Sequence, residues 1–219
     1  MRLLLISSSV VHGYGFLDHS EAEIRALLGD RRSVAFVPFA QSDVDNYTAK
    51  VRERLGTMDF DVTQVRGRAD IESAESIFVG GGNTFRLLMQ VIALDLADAI
   101  RDRVKDGVPY IGSSAGTNLA TPTIKTTNDM PIVYPPTFDA LGLVSFQINP
   151  HYLDPEPHST HQGETREQRI REFHEENATP VLGLREGSML RIENGVVTLA
   201  GDKPARLFRR GAAPEEFEP

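Results

Sequence analysis

The chain has 219 residues, of which 40% are hydrophobic and 25% charged, and this is enough apolar material for one globular core. Its net charge of −8 argues against nucleic acid as a partner, because phosphate binding needs a basic surface. The chain contains no cysteine, which excludes a thiol nucleophile, disulfide bonds and cysteine-ligated metal centres.

The first half of the sequence alternates short apolar runs with longer helical stretches. Strand-like runs lie at 3–7, 34–38, 61–65, 76–79 and 108–111, and helical stretches lie at 20–28, 43–55, 84–89 and 94–105. This alternation predicts an α/β fold with a mostly parallel central sheet and helices on both of its faces. No apolar run approaches the ~20 residues of a membrane helix, and the first run is too short for a secretory signal. We therefore expect no membrane partner and a cytoplasmic location.

The last third of the sequence has a different pattern. A helix is predicted at about 164–175, followed by strand-like runs at 181–184, 189–192, 196–199 and 206–208. Asn194-Gly195 predicts a hairpin between two of these runs, because both residue types tolerate positive φ. We expect antiparallel strands near the C-terminus that extend the main sheet. The chain is predicted to be one domain, 1–219, with residues 212–219 as a disordered acidic tail.

Residues 112–116 have the sequence Gly-Ser-Ser-Ala-Gly and follow the predicted strand at 108–111. This matches the G-x-S-x-G pattern, in which a sharp strand-to-helix turn points a serine hydroxyl at solvent. The backbone N–H that follows the serine is then free to stabilise an oxyanion. Ser114 is therefore a candidate nucleophile and Ala115 a candidate oxyanion donor.

A second loop, with three glycines at 80–82, follows the predicted strand at 76–79. Since active sites of parallel sheets form at the carboxyl ends of the strands, we expect this loop beside Ser114. The N–H of Gly82 is the candidate second oxyanion donor. The loop lacks the lysine of a P-loop, and Phe85 stands where the dinucleotide fingerprint requires glycine. No cofactor is expected.

His151 closes an apolar run behind an Asn-Pro pair, and it is the candidate general base because imidazole titrates near neutrality. His158 and His161 raise the alternative of a metal site. Their spacing matches no helical His-x-x-x-His pattern, so no metal is expected.

Two carboxylates compete to orient the imidazole of His151. Glu186 follows the strand-like run at 181–184, and strand-end topology therefore favours it. Asp129 lies in a loop just beyond the helix that should follow Ser114, and proximity along the chain favours it. The residues alone leave this choice open.

These segments, in this order, resemble peptidase E, the α-aspartyl dipeptidase family of serine peptidases. The matching segments are VGGGNTF at 79–85, YIGSSAG at 110–116, TTNDMPIV at 126–133, QINPH at 147–151 and GETREQRI at 163–170. The resemblance implies a fold like that of class I glutamine amidotransferases and cleavage of dipeptides with an N-terminal aspartate. It matches Ser114 to the nucleophile, His151 to the base and Asp129 to the acid proposed for the family. Glu186 matches the glutamate that has this role in the related cyanophycinases, and the strand-end argument favours it.

The expected partner is a small acidic dipeptide, whose β-carboxylate needs a cation. Arg169 and Arg166 share one face of the predicted helix and are the candidates, with Lys125 as a further one. Asn83 is a candidate for a hydrogen bond to the substrate. The oligomeric state is not specified, and a homodimer is compatible with the sequence. The alternatives are a non-catalytic sensor of a small acidic amino acid and a serine hydrolase that acts on β-aspartyl peptides.

Overall fold

The computed structural model describes residues 1–156, 160 and 163–218. His158 and His161, on which the alternative of a metal site depended, lie outside these residues. Within them the strands are β1 (Arg2–Ile6), β2 (Ser33–Val37), β3 (Asp61–Gln64), β4 (Ile77–Val79), β5 (Tyr110–Ser113), β6 (Gln147–Tyr152), β7 (Val181–Arg185), β8 (Ser188–Glu193), β9 (Val196–Gly201), β10 (Ala205–Phe208) and β11 (Glu215–Phe217). The α-helices are α1 (Glu21–Leu28), α2 (Val44–Gly56), α3 (Arg68–Glu72), α4 (Thr84–Ala93), α5 (Ala97–Lys105), α6 (Ala115–Leu119) and α7 (Arg166–Glu176).

The main sheet has seven strands in the order β3-β2-β4-β5-β1-β8-β9. The first five are parallel, and β8 and β9 are antiparallel additions. The predicted fold class, an α/β fold with a mostly parallel sheet, is confirmed. Asn194 and Gly195 have φ values of 53° and 81° at the β8–β9 turn, which agrees with the predicted hairpin.

Helices cover both faces of this sheet. Leu4 and Ile6 of β1 pack with residues of α1 and α2, and we call this side the α2 face. Leu3 and Leu5 pack with residues of α4, α5 and α6 on the opposite side, the α4 face. All four of these side chains are fully buried. Burial on both faces explains why the parallel strands show continuous apolar runs instead of a period-2 alternation.

The expectation that the late strands extend the main sheet is only partly right. The β8–β9 hairpin does so, but β6, β7, β10 and β11 form a second sheet in the order β11-β10-β7-β6. A turn of two residues, Glu186 and Gly187, carries the chain from β7 in one sheet to β8 in the other, and Gly187 has φ 94°. This turn brings the carboxyl end of β7 beside the carboxyl end of β1.

The prediction of a disordered tail at 212–219 is wrong over its central part. Residues of β11 pair antiparallel with β10. The Arg185 side chain binds the carboxylates of Asp154 and Glu216 at 2.7 and 2.8 Å, so a charge of the acidic tail is paired on the second sheet. These bonds from Arg185 hold the pKa of both carboxyl groups below their ordinary values. That the chain forms one domain stays a prediction.

Gly116 gives a direct test of how closely α6 packs on the sheet. A Cβ at this position would lie 2.1 Å from the carbonyl oxygen of Val79, so helix and strand must separate to admit one. We expect Gly116→Ala to lower the free energy of unfolding by about 3 kcal/mol, measured by urea denaturation. The matched control is Gly56→Ala in α2, where nothing lies within 4 Å of the added methyl group. The control should stabilise the fold by about 0.5 kcal/mol, and equal losses in both variants would contradict the packing argument.

Candidate active site

Ser114 lies at the turn between β5 and α6 with φ 51° and ψ −105°, a conformation that costs a non-glycine residue about 1–3 kcal/mol. Two backbone hydrogen bonds hold it there. Its N–H donates to the carbonyl of Ile6 at 3.0 Å, and its carbonyl accepts from Asn118 N–H at 3.0 Å. The turn needs Gly112, because a Cβ there would lie 2.6 Å from the carbonyl oxygen of Gly116. The local fold therefore has the geometry that the G-x-S-x-G pattern predicts.

His151 occupies a bulge in β6. Pro150 pairs with Leu184 and Tyr152 with Arg185, so His151 has no partner in the ladder, and its φ is 54°. Its N–H donates to the hydroxyl of Ser7 at 3.0 Å, and that hydroxyl donates to the carbonyl of Leu184 at 2.7 Å. Bulges redirect single side chains next to functional sites. Sequence reasoning missed the role of Ser7, and the available signal was a buried serine directly after an apolar strand.

The structure brings Ser114, His151 and Glu186 into one chain of hydrogen bonds. Ser114 Oγ lies 2.8 Å from His151 Nε2, and His151 Nδ1 lies 2.6 Å from Glu186 Oε1. An ionised carboxylate only accepts hydrogen bonds, so the proton belongs on Nδ1, and Nε2 is then free to accept from the serine hydroxyl. The arrangement can deprotonate Ser114 while it attacks a carbonyl carbon.

Asp129, the competing acid, contacts a different part of the site. Its Oδ2 accepts from Thr84 N–H at 2.7 Å, from Thr84 Oγ1 at 2.6 Å and from Thr127 Oγ1 at 3.1 Å. The carboxylate therefore lies at the N-terminus of α4, where the helix dipole favours negative charge. Among the described contacts, it is Glu186 and not Asp129 that binds His151.

The glycine loop passes directly beside the serine. A Cβ added to Gly81 would lie 3.2 Å from the Cβ of Ser114. Gly81 N–H donates to the hydroxyl of Tyr47 at 2.9 Å, and burial raises the pKa of Tyr47 to about 12, which keeps the phenol neutral. Among the described residues, neither Gly82 N–H nor Ala115 N–H has an acceptor within the protein. Both donors remain available to a substrate oxygen, and Tyr47, which sequence reasoning missed, fixes the loop that carries one of them.

These groups line a cavity of about 630 Å³ at the carboxyl edge of the main sheet. This volume is in the range of about 300–1,000 Å³ that is typical of small-molecule sites. Its lining includes Ser114, His151, Gly81, Gly82, Asp129, Tyr47, Phe16 and Lys50.

The candidate substrate-binding residues are not part of the described lining of this cavity. Arg169 is exposed and contacts Glu164 at 3.4 Å. Asn83 caps α4: its side chain accepts from Arg86 N–H at 3.0 Å and donates to the Met130 carbonyl at 2.9 Å.

Arg166 and Lys125, the two other basic candidates, differ in their surroundings. Arg166 is partly buried, and burial and the charge of Arg169 lower its pKa, while the charge of Asp129 opposes that shift. Arg166 lines a second cavity, together with Leu153 and Glu164. Lys125 is exposed in a short 3₁₀ turn, Ile124–Thr126.

Two further observations concern metal binding and membrane-spanning helices. In the part of the chain that the structure describes, no group of three or more histidine, aspartate or glutamate residues is arranged to hold a metal ion. None of the described helices combines the length and the apolar character needed to cross a bilayer.

Comparison with known proteins agrees with the fold and the geometry. Residues 3–200 match the family model for peptidase family S51. The chain is 54% identical over 221 residues to a peptidase E of Streptomyces coelicolor, covering 99% of this chain and 91% of the relative. It is 49% identical over 225 residues to a protein of Drosophila melanogaster named probable alpha-aspartyl dipeptidase, covering 100% of this chain and 94% of the relative.

A solved structure of a putative peptidase E from Listeria monocytogenes has the same fold, with a TM-score of 0.70 at 22% identity. The match covers 92% of this chain and 98% of that one. Fold and relatives together define the class of protein as a serine peptidase. The chain belongs to peptidase family S51. The resemblance inferred from the motifs is confirmed.

The contacts of Asp129 predict that removal of its charge lowers the stability of the fold. Asp129→Asn should lower the free energy of unfolding by about 1 kcal/mol, because the start of α4 loses a charged acceptor. Urea denaturation measures this change. The control is Asp106→Asn at the C-terminal cap of α5, where a negative charge opposes the dipole and its removal should cost nothing. An equal loss in both variants would contradict the capping role.

Proposed function

We propose that this protein is a serine dipeptidase that releases the N-terminal aspartate of Asp-Xaa dipeptides. In this proposal Ser114 is the nucleophile, His151 the general base and Glu186 the acid that orients the imidazole. The observation that carries the proposal is the pair of contacts at 2.8 and 2.6 Å that joins the three side chains. A hydroxyl, an imidazole and a carboxylate in series are the arrangement that makes a weak serine nucleophile reactive.

The chemistry follows from the positions of the protons. His151 Nε2 takes the hydroxyl proton as Ser114 Oγ forms a bond to the carbonyl carbon of the N-terminal residue. Glu186 stabilises the imidazolium through its bond to Nδ1. The imidazolium then donates its Nε2 proton to the nitrogen of the leaving amino acid, and the peptide C–N bond breaks. Water, deprotonated by the same nitrogen, hydrolyses the ester and releases aspartate.

The negative charge on the tetrahedral oxygen needs donors that are fixed before the reaction. We assign this role to the N–H groups of Gly82 and Ala115. The proposal is supported by the place of Gly82 beside Ser114 in the lining of the cavity, by the position of Ala115 directly after Ser114, and by the lack of an acceptor for either group among the described residues. Each such donor contributes about 3 kcal/mol of transition-state stabilisation.

The choice of an acidic substrate rests on the relatives and on the charges near the cavity. The Drosophila relative is named as a probable alpha-aspartyl dipeptidase. Asp129 lines the cavity and is our proposed partner of the substrate's α-ammonium group. Arg166, whose charge interacts with Asp129, is the proposed partner of the β-carboxylate. We also propose that the enzyme acts in the cytoplasm, whose reducing conditions suit a chain without cysteine.

Two alternatives receive less support. The relatives bear the names of peptidases, and a non-catalytic sensor has no need of the complete Ser114–His151–Glu186 chain. The Drosophila relative is named for α-aspartyl and not for β-aspartyl substrates.

Replacement of the nucleophile tests the function directly. Ser114→Ala should lower kcat on Asp-Leu by roughly 10⁴-fold or more, while the thermal unfolding midpoint stays close to that of the wild type. Ser113→Ala is the matched control, because the buried hydroxyl of Ser113 has no hydrogen-bond partner among the described residues. The control should retain its activity. Turnover by Ser114→Ala within about tenfold of wild type would exclude the mechanism.

A second pair of variants separates the two carboxylates. Glu186→Gln should lower kcat by about 10³–10⁴-fold, since an amide can donate to Nδ1 and stabilise the wrong tautomer. Asp129→Asn should instead raise KM, because it weakens the binding of the substrate's α-ammonium group. Steady-state kinetics with Asp-Leu measures both. The reverse pattern, with the kcat effect at Asp129, would exclude Glu186 as the orienting acid.

A further inference from the structure

The cavity around Ser114 has charged side chains on both of its sides. Asp129 lies at the N-terminus of α4, so it belongs to the α4 face of the main sheet. Lys50 lies on α2, which packs on the other face together with Phe16. Ser114, at the carboxyl end of the central strand β5, lies between them. The cavity thus has an anion, Asp129, on one side of Ser114, and on the other side the cation Lys50 together with Asp43 at the start of α2.

The ammonium group of Lys50 is held in place without being neutralised. Its Nζ lies 4.3 Å from the centre of the Phe16 ring, a cation–π contact that orients the group and leaves its charge unpaired. Among the described residues, no carboxylate lies within the 4.0 Å of an ion pair with Lys50. Asp43 lines the same cavity, but it is the N-cap of α2, two turns before Lys50, and accepts the N–H of Asn46 at 3.0 Å.

The distance along α2 sets where the charge of Lys50 acts. Tyr47 contacts Gly81, the residue beside the nucleophile, and Lys50 lies three residues further along the same face of the helix. Three residues of helix rise about 4.5 Å, and one residue of an extended peptide spans about 3.5 Å. Lys50 is therefore attached about one helical turn from the residue that contacts the glycine loop, a separation comparable with the span of one substrate residue, and it lines the same cavity as Ser114.

We propose that Lys50 binds the C-terminal carboxylate of the dipeptide and so restricts the enzyme to substrates of two residues. This inference rests on the proposed function and adds the recognition of the leaving residue to it. A free dipeptide carries an ammonium group at one end and a carboxylate at the other, and the cavity presents Asp129 and Lys50 to these ends. In a longer peptide a neutral amide lies where the carboxylate of a dipeptide would be, and the charge of Lys50 gains no partner.

The test compares the dipeptide Asp-Leu with Asp-Leu-amide, which differ only in the C-terminal charge. The readout is the ratio of their kcat/KM values. For the wild type we expect Asp-Leu to be favoured by about tenfold, mainly through KM. Lys50→Met keeps helix propensity and side-chain length but removes the charge, and its ratio should fall to about one. Lys50→Arg should restore most of the preference. Lys105→Met, on the exposed end of α5, is the control and should keep the wild-type ratio.

The ratio separates this inference from the proposed function. If the wild type cleaves neither substrate, the dipeptidase proposal itself fails. If it cleaves both and Lys50→Met keeps the wild-type ratio, the assignment of Lys50 is overturned while the dipeptidase stands. The assignment is equally overturned if Lys50→Met keeps the preference for the free carboxylate but loses discrimination between Asp-Leu and Asn-Leu, because Lys50 would then bind the β-carboxylate. General damage to the site lowers both kcat/KM values and leaves the ratio intact.

Discussion

The carboxyl end of β1 accepts hydrogen bonds from Ser114 and His151, the two strained residues of the site. The carbonyl of Ile6 accepts the N–H of Ser114, and it also accepts the hydroxyl of Thr117 at 2.7 Å. The next residue, Ser7, accepts the N–H of His151 through its hydroxyl. Ser114 and His151 both have positive φ, which few non-glycine residues adopt without support. One buried strand end therefore supports the hydroxyl and the imidazole at the separation at which a proton can pass between them.

Close backbone packing allows these hydrogen bonds to form. Gly112 and Gly116 allow the turn after β5 to fold against β4, and Gly81 allows the neighbouring loop to contact Ser114. Tyr47 reaches across from α2 to fix that loop. Each of these contacts uses backbone or a buried neutral group, and none of them uses a charged side chain of the cavity. Because the net charge of the protein is −8, an acidic dipeptide needs local cations at the site in order to bind.

The sequence predicted most of the strands that are buried on both faces. It missed some elements whose residues are polar or partly exposed. Four of the five parallel strands, β1, β2, β4 and β5, are almost entirely buried, and all five strands agree with the predicted runs to within a few residues. The short helix α3 and the strands β6 and β11 were missed. Strand β11 is polar and partly exposed, and part of what holds it is Arg185, which lies about 30 residues earlier. A local pattern cannot register a strand whose partners are distant charges.

The amino-acid sequence by itself determined the α/β alternation, the turn around Ser114 and the glycine loop beside it, because each depends on residues adjacent in the chain. Tertiary structure alone decided which carboxylate meets His151. Glu186 is 35 residues from that histidine and belongs to a turn between two sheets, whereas Asp129, nearer to Ser114 in sequence, is bound by the start of α4. The packing of the two sheets fixes this pairing, since a strand carries its side chains to a partner that only the assembled fold brings within hydrogen-bond distance.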